Sequence, residues 1–146
     1  YNLTRVSIPN SVTTLTGKTF FNCSRLTEVS IPNGITEIGK FTFDHCISLA
    51  NINIPDSVTK IGKGSFSNCM NLIKINIPNN VTEIAERAFK GCRNLNEIKI
   101  PDSVTEIGEY AFENCMNLAE IKIPDSVTKI GKNAFIGCSK LNLEHQ

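Results

Sequence analysis

One spacing governs this chain. Leucine recurs at Leu3, Leu26, Leu49, Leu72, Leu95, Leu118 and Leu141, each 23 residues after the last. Phenylalanine keeps the same interval from Phe20 to Phe135, proline from Pro9 to Pro124 and cysteine from Cys23 to Cys138. Every proline and every cysteine in the chain belongs to this period. Nothing is inserted or lost between the columns, so the chain is six full units, preceded by the end of a seventh and followed by the start of an eighth. A fixed period of a few tens of residues is the signature of stacked supersecondary units.

Within a unit, the residue types assign the local structure. In Asn96–Ile100, Ile98 and Ile100 alternate with polar residues, which predicts a short strand with one buried face. Pro101-Asp102-Ser103 breaks that strand and turns the chain. Val104-Thr105-Glu106-Ile107 is rich in β-branched residues and predicts a second short strand. Gly108 permits a tight bend. Glu109 to Cys115 suits one helical or 3-10 turn, with Ala111, Phe112 and Cys115 on one side. A lone unit buries too little apolar surface to offset the entropy of ordering 23 residues. Stacked units share buried faces and backbone ladders. The expected architecture is therefore an α/β-type solenoid. A parallel β-sheet forms one face, and short second strands and helical or 3-10 turns form the others. Six rungs about 4.8 Å apart give a rod about 30 Å long.

The solenoid is expected to occupy 1–141 as a single domain, with 142–146 a tail outside the pattern that has the look of an expression scar. Neither end carries a polar capping unit, so self-association through uncapped ends is expected, as is a place within a longer array. The net charge of +1 gives no reason to expect nucleic acid as a partner. No apolar run is long enough to span a bilayer as a helix, so no membrane insertion is expected of this segment.

The unit resembles the BspA-like, or Treponema-type, leucine-rich repeat. The matching residues are Leu-x-x-Ile-x-Ile-Pro, then Val-Thr-x-Ile-Gly, then Ala-Phe-x-x-Cys, as in Leu118 through Cys138. The departures are small. Ala85 replaces the glycine of its column, Thr16 precedes an out-of-phase Gly17, and Thr19, Thr42 and Ser65 replace the alanine before phenylalanine. The resemblance implies a leucine-rich repeat solenoid from a cell-surface or secreted protein that contacts other proteins or cells. It implies no particular ligand, because the family is defined by its scaffold.

Catalysis has little to work with, and the chain reads as a non-enzyme with no cofactor. The single internal histidine, His45, occupies the column of Asn22, Asn68, Gly91, Asn114 and Gly137 and reads as a turn residue. Glu37, Glu83 and Glu106 sit on the outer face as solvating charges. One cysteine per rung lacks the spacing of a zinc site. Stacked cysteines also share one direction into the core, so they read as buried free thiols. Asn2, Asn22 and Asn80 begin sequons, which a eukaryotic secretory pathway would glycosylate. Charges of opposite sign fall on adjacent rungs in the columns Glu37, Lys60, Glu83, Glu106, Lys129 and Lys40, Lys63, Glu86, Glu109, Lys132.

Binding is expected on the strand face, where two outward columns vary while the inward residues do not. One contains Arg5, Glu28, Asn51, Lys74, Glu97 and Glu120. The other contains Ser7 and Ser30, then Asn53, Asn76, Lys99 and Lys122. A rival apolar patch lies on the cysteine side, where Ile47 and Met70 occupy adjacent rungs. Two functions fit these features: a protein-recognition or adhesion module of a cell-surface or secreted protein, or a cytoplasmic scaffold that docks another protein.

Overall fold

The computed structural model of the protein describes residues 2–142. Residues 143–146, most of the expected tail, lie outside the described residues. The strands, in chain order, are β1 (Arg5–Ser7), β2 (Thr14–Leu15), β3 (Glu28–Ser30), β4 (Glu37–Ile38), β5 (Lys60–Ile61), β6 (Lys74–Asn76), β7 (Glu83–Ile84), β8 (Glu97–Lys99), β9 (Glu106–Ile107) and β10 (Lys129–Ile130). All pairing is parallel and displaced by one repeat: Val6 lies opposite Val29, Ile75 opposite Ile98, and Ile84 opposite Ile107. Twenty-three residues thus make one rung.

The longer strands form two pairs, β1 with β3 and β6 with β8, rather than one sheet across six rungs. Asn51–Asn53 and Glu120–Lys122 occupy the same place in their rungs without strand pairing. The stack itself is not interrupted. Ile73 N–H donates to Ala50 O at 3.0 Å and Asn142 N–H to Ala119 O at 3.3 Å, the same rung-to-rung bond that Thr27 N–H makes to Thr4 O at 2.9 Å. Asn142, assigned to the tail on sequence, continues this ladder. The short second strands form two three-stranded ladders, β2-β4-β5 and β7-β9-β10.

Between the two strand faces, each proline carbonyl accepts the N–H of the residue three positions on, as in Val104 to Pro101 at 3.1 Å. Proline presets the turn, and the residue that closes it enters the core.

The expected helical or 3-10 turn is not formed; among the described residues there is no helix. Two columns of left-handed residues explain this. Tyr110 (φ 57) and Asn114 (φ 60) bracket the segment in one rung, as Phe41 (φ 56) and His45 (φ 63) do in another. A left-handed residue every fourth position stops a right-handed helix from propagating. The amides divide accordingly. Ala111, Glu113 and Cys115 bond to the carbonyl three residues back, at 3.2–3.3 Å. Tyr110, Phe112 and Asn114 reach Lys132, Ala134 and Ile136 on the next rung, at 2.8–3.2 Å. A helix would keep these bonds within the unit and leave the rungs unjoined on this side.

The core runs the length of the stack. Phe43, Phe66, Phe89 and Phe112 are fully buried and stack nearly parallel, with ring centroids 5.3–5.6 Å apart. Leucine and isoleucine columns fill the space between this aromatic spine and the two strand faces. Gly108 serves packing more than the bend expected of it: a Cβ there would come within 2.5 Å of Glu86 N on the preceding rung. Nothing in the structure explains why the same column accepts Ala85. The hydroxyls that replace alanine beside the phenylalanines are satisfied. Thr42 Oγ1 donates to Gly39 O at 2.7 Å and Ser65 Oγ to Gly62 O.

Candidate protein-binding face

The strand face is built by alternation. Each of its three-residue segments turns its central residue inward and its two flanking residues outward, as in β8, where Ile98 is buried between exposed Glu97 and Lys99. The same pattern holds where no strand is paired: Ile121 is buried between Glu120 and Lys122. All twelve residues of the two outward columns, from Arg5 to Lys122, are exposed. The register aligns Arg5 with Glu28, Lys74 with Glu97 and Asn76 with Lys99. Arg5 and Glu28 make an ion pair at 3.4 Å between two well-exposed side chains, an interaction of little energetic weight.

Two shallow clefts interrupt this face where strand pairing lapses. One, of about 500 Å³, surrounds Asn51, Ile52 and Asn53 between Glu28 and Lys74. The other, of about 540 Å³, lies between Lys99 and Lys122 over Ile98, Ile100 and Pro101. Both columns lack an aromatic side chain, the usual anchor of a tight interface.

The rival patch is less uniform. Ile47 is exposed, whereas Met70 is half-buried. Met116 is exposed two rungs beyond Met70, with the charged Arg93 between. On the turn side, Lys63 meets Glu86 at 3.4 Å and Lys129 meets Glu106 at 3.3 Å across rungs. Asn2, Asn22 and Asn80 are all exposed.

His45 sits exposed in its left-handed turn with Nδ1 2.9 Å from the buried carboxylate of Asp44. The cysteines are free, and five of the six are buried. They do more than fill space. Each thiol from Cys46 onward donates to the carbonyl of the phenylalanine 26 residues earlier, as Cys92 does to Phe66 O at 3.1 Å. No sign of this bond is legible in the sequence beyond the fixed phase of the two columns. Burial pushes the thiols of Cys46 and Cys92 up to about 12 and raises Cys69 well above its usual value. Such thiols stay protonated and unreactive at neutral pH. Among the described residues no group of histidine, cysteine and carboxylate side chains could hold a metal ion, and no helix is long and apolar enough to cross a membrane.

A parallel-β solenoid with a uniform core and a variable exposed face defines a class: repeat proteins whose working surface is a scaffolded array of side chains. Within it, the chain belongs to the BspA type leucine rich repeat family, whose profile matches six copies over residues 1–115 and 59–143. No curated protein matches the chain. Among solved structures it is similar to a leucine rich cell surface protein from Faecalibacterium prausnitzii A2-165, with 40% identity and a TM-score of 0.90 over 96% of this chain. It is similar to the leucine rich repeat protein of T. pallidum, with 36% identity and a TM-score of 0.91 over 95% of this chain. A leucine-rich repeat protein from Bacteroides ovatus is 28% identical, with a TM-score of 0.63 over 96% of this chain and 48% of its own length. The chain spans 38% of the Faecalibacterium protein and 65% of the T. pallidum protein.

Proposed function

We propose that this chain is a protein-interaction module of a cell-surface or secreted protein, and that its strand face carries the contact. The observation that supports this most is the contrast within each rung. Val6, Val29, Ile52, Ile75, Ile98 and Ile121 keep the inward position β-branched, while the outward columns change along the stack, from Arg5 and Ser7 through Asn51 and Asn53 to the repeated glutamate and lysine of the last two rungs. Fixed packing frees the exposed columns to encode a partner. The surface location draws on the likeness to a protein described as a leucine rich cell surface protein. The columns hold short polar and charged side chains, so they steer and orient a partner more than they hold it, and screening over about 8 Å makes the contact salt-sensitive.

The test is a binding screen of the protein against purified extracellular proteins, followed kinetically. Binding at the strand face weakens as salt rises and loses association rate in Lys99→Glu with Lys122→Glu. Binding that ignores salt, is lost in Ile47→Asp and is untouched by the lysine changes would place the contact on the cysteine side.

A further inference from the structure

On the last two rungs the strand face carries an acidic stripe beside a basic one. Glu97 and Glu120 share one column, and Lys99 and Lys122 share the next. All four are exposed, and both lysines border the same cleft. Like charges thus occupy one column on adjacent rungs, with the opposite stripe about 6.6 Å across the strand. Cations meet carboxylates from rung to rung at Arg5–Glu28, Lys63–Glu86 and Lys129–Glu106, whereas Glu83 lies opposite Glu106. What sets the patch apart is that the acidic and basic stripes run side by side over two rungs, a charge pattern that is its own complement when turned about an axis along the stack.

We propose that this face binds a second copy of the same chain, face to face, about a two-fold axis parallel to the solenoid axis. The proposal rests on the reading that the strand face is the contact surface, and it names the partner. Such an axis exchanges the two columns at each rung. Glu97 and Glu120 of one copy then meet Lys99 and Lys122 of the other, and the reverse, giving four opposed pairs. On the remaining rungs Asn51 meets Asn53, Lys74 meets Asn76, and Glu28 meets Ser30, with no like charges opposed. Sliding by one rung brings Lys74 against Lys99 and loses half of the opposed pairs.

The spacing favours the same partner. An extended peptide repeats on one face every ~6.7 Å and a helix every ~5.4 Å, so both drift out of phase with rungs ~4.8 Å apart. A second parallel-strand array stays in step. The face is polar and has no aromatic anchor, so the contact is weak and concentration-dependent.

Sedimentation velocity on the whole chain, at low and high salt and up to about 1 mM, tests this. The protein self-associates at low salt and dissociates as salt rises. Lys99→Glu with Lys122→Glu makes both stripes acidic, and Glu97→Lys with Glu120→Lys makes both basic. Each variant alone loses self-association at least about tenfold, and an equimolar mixture of the two forms a heterodimer. All four positions are exposed, and circular dichroism checks that both variants fold. Failure of the mixture to associate, or self-association unchanged in both variants, overturns the proposal. A foreign extracellular protein that binds through Lys99 and Lys122 to a strictly monomeric chain overturns it while leaving the strand-face reading intact. Self-association lost only in Ile47→Asp overturns both.

Discussion

Asn114 shows how single side chains set this fold. It holds φ 60, in a column otherwise occupied by Asn22, His45, Asn68, Gly91 and Gly137, all left-handed. Glycine, asparagine and histidine tolerate this region, and a β-branched residue does not. Asn114→Val is expected to cost about 1–2 kcal/mol by chemical denaturation, and Asn114→Gly less than about 0.5. The buried thiols give a pH signature. Cys46 and Cys92 rise from 9.0 in the unfolded chain to about 12 in the fold. Below pH 9 both states hold the proton and the contribution of the thiols is constant. Above it the unfolded chain ionises first, so stability falls as pH climbs towards 12, by up to ~1.4 kcal/mol per pH unit for each such thiol. Thermal melts between pH 8 and 10 are expected to show this decline, with a shallower slope in Cys92→Ala. Native thiol titration is expected to modify the half-buried Cys138 first and to spare Cys46 through Cys115 until denaturant is added. Rapid modification of several thiols in buffer would contradict their place in the core.

The elements were legible in proportion to how local their signals are. Local signals place the strands, alternation for Glu97–Lys99 and β-branched residues for Glu106–Ile107. The third side was misread because Ala111, Phe112 and Cys115 have spacings that fit a helix as well as a chain of tight turns. One correcting signal was present: the column of asparagine, histidine and glycine is rich in residues that accept positive φ. The other left-handed column, with Lys18, Phe41, Arg87 and Tyr110, gave almost none, because the rung-to-rung bonds impose that conformation against residue preference. The exposure of the strand face was legible residue by residue. Its breaks at Asn51–Asn53 and Glu120–Lys122 were not, since pairing depends on neighbouring rungs. The aromatic spine ties these elements together. Phe89 stacks on Phe66 and Phe112 with centroids 5.6 and 5.5 Å away and is fully buried. Rungs on both sides hinder collapse around a truncated side chain, so Phe89→Ala is expected to cost about 3–5 kcal/mol in denaturant unfolding. A loss below about 1 kcal/mol would mean that the spine contributes little.

At the scale of the molecule, stability is a sum over rungs and the surfaces between them, and the period is the quantity that the fold protects. Removing residues 71–93 deletes one whole repeat. Met70 then joins Asn94 and recreates the Cys-Met-Asn-Leu run that Cys69 to Leu72 already forms. Every inward column closes without a step: Phe66 meets Phe112 and Cys69 meets Cys115. The ion pair across the turn side is also replaced in kind, because Lys63 comes to face Glu109 where it faced Glu86. This shortened chain is expected to fold cooperatively, keep its circular dichroism per residue, and melt at a lower temperature because one unit and one interface are gone. Removing 71–92 instead leaves one residue too many between the phenylalanines. In the rung after the junction, residues that pointed inward then face solvent, and polar neighbours face the spine. That chain is expected to lose cooperative unfolding altogether. Equal stability in the two deletions would mean that the rungs are held by local turns rather than by their register. The exact-period deletion also retains Glu97, Lys99, Glu120 and Lys122 on consecutive rungs, so it is expected to bind through the strand face as the full chain does.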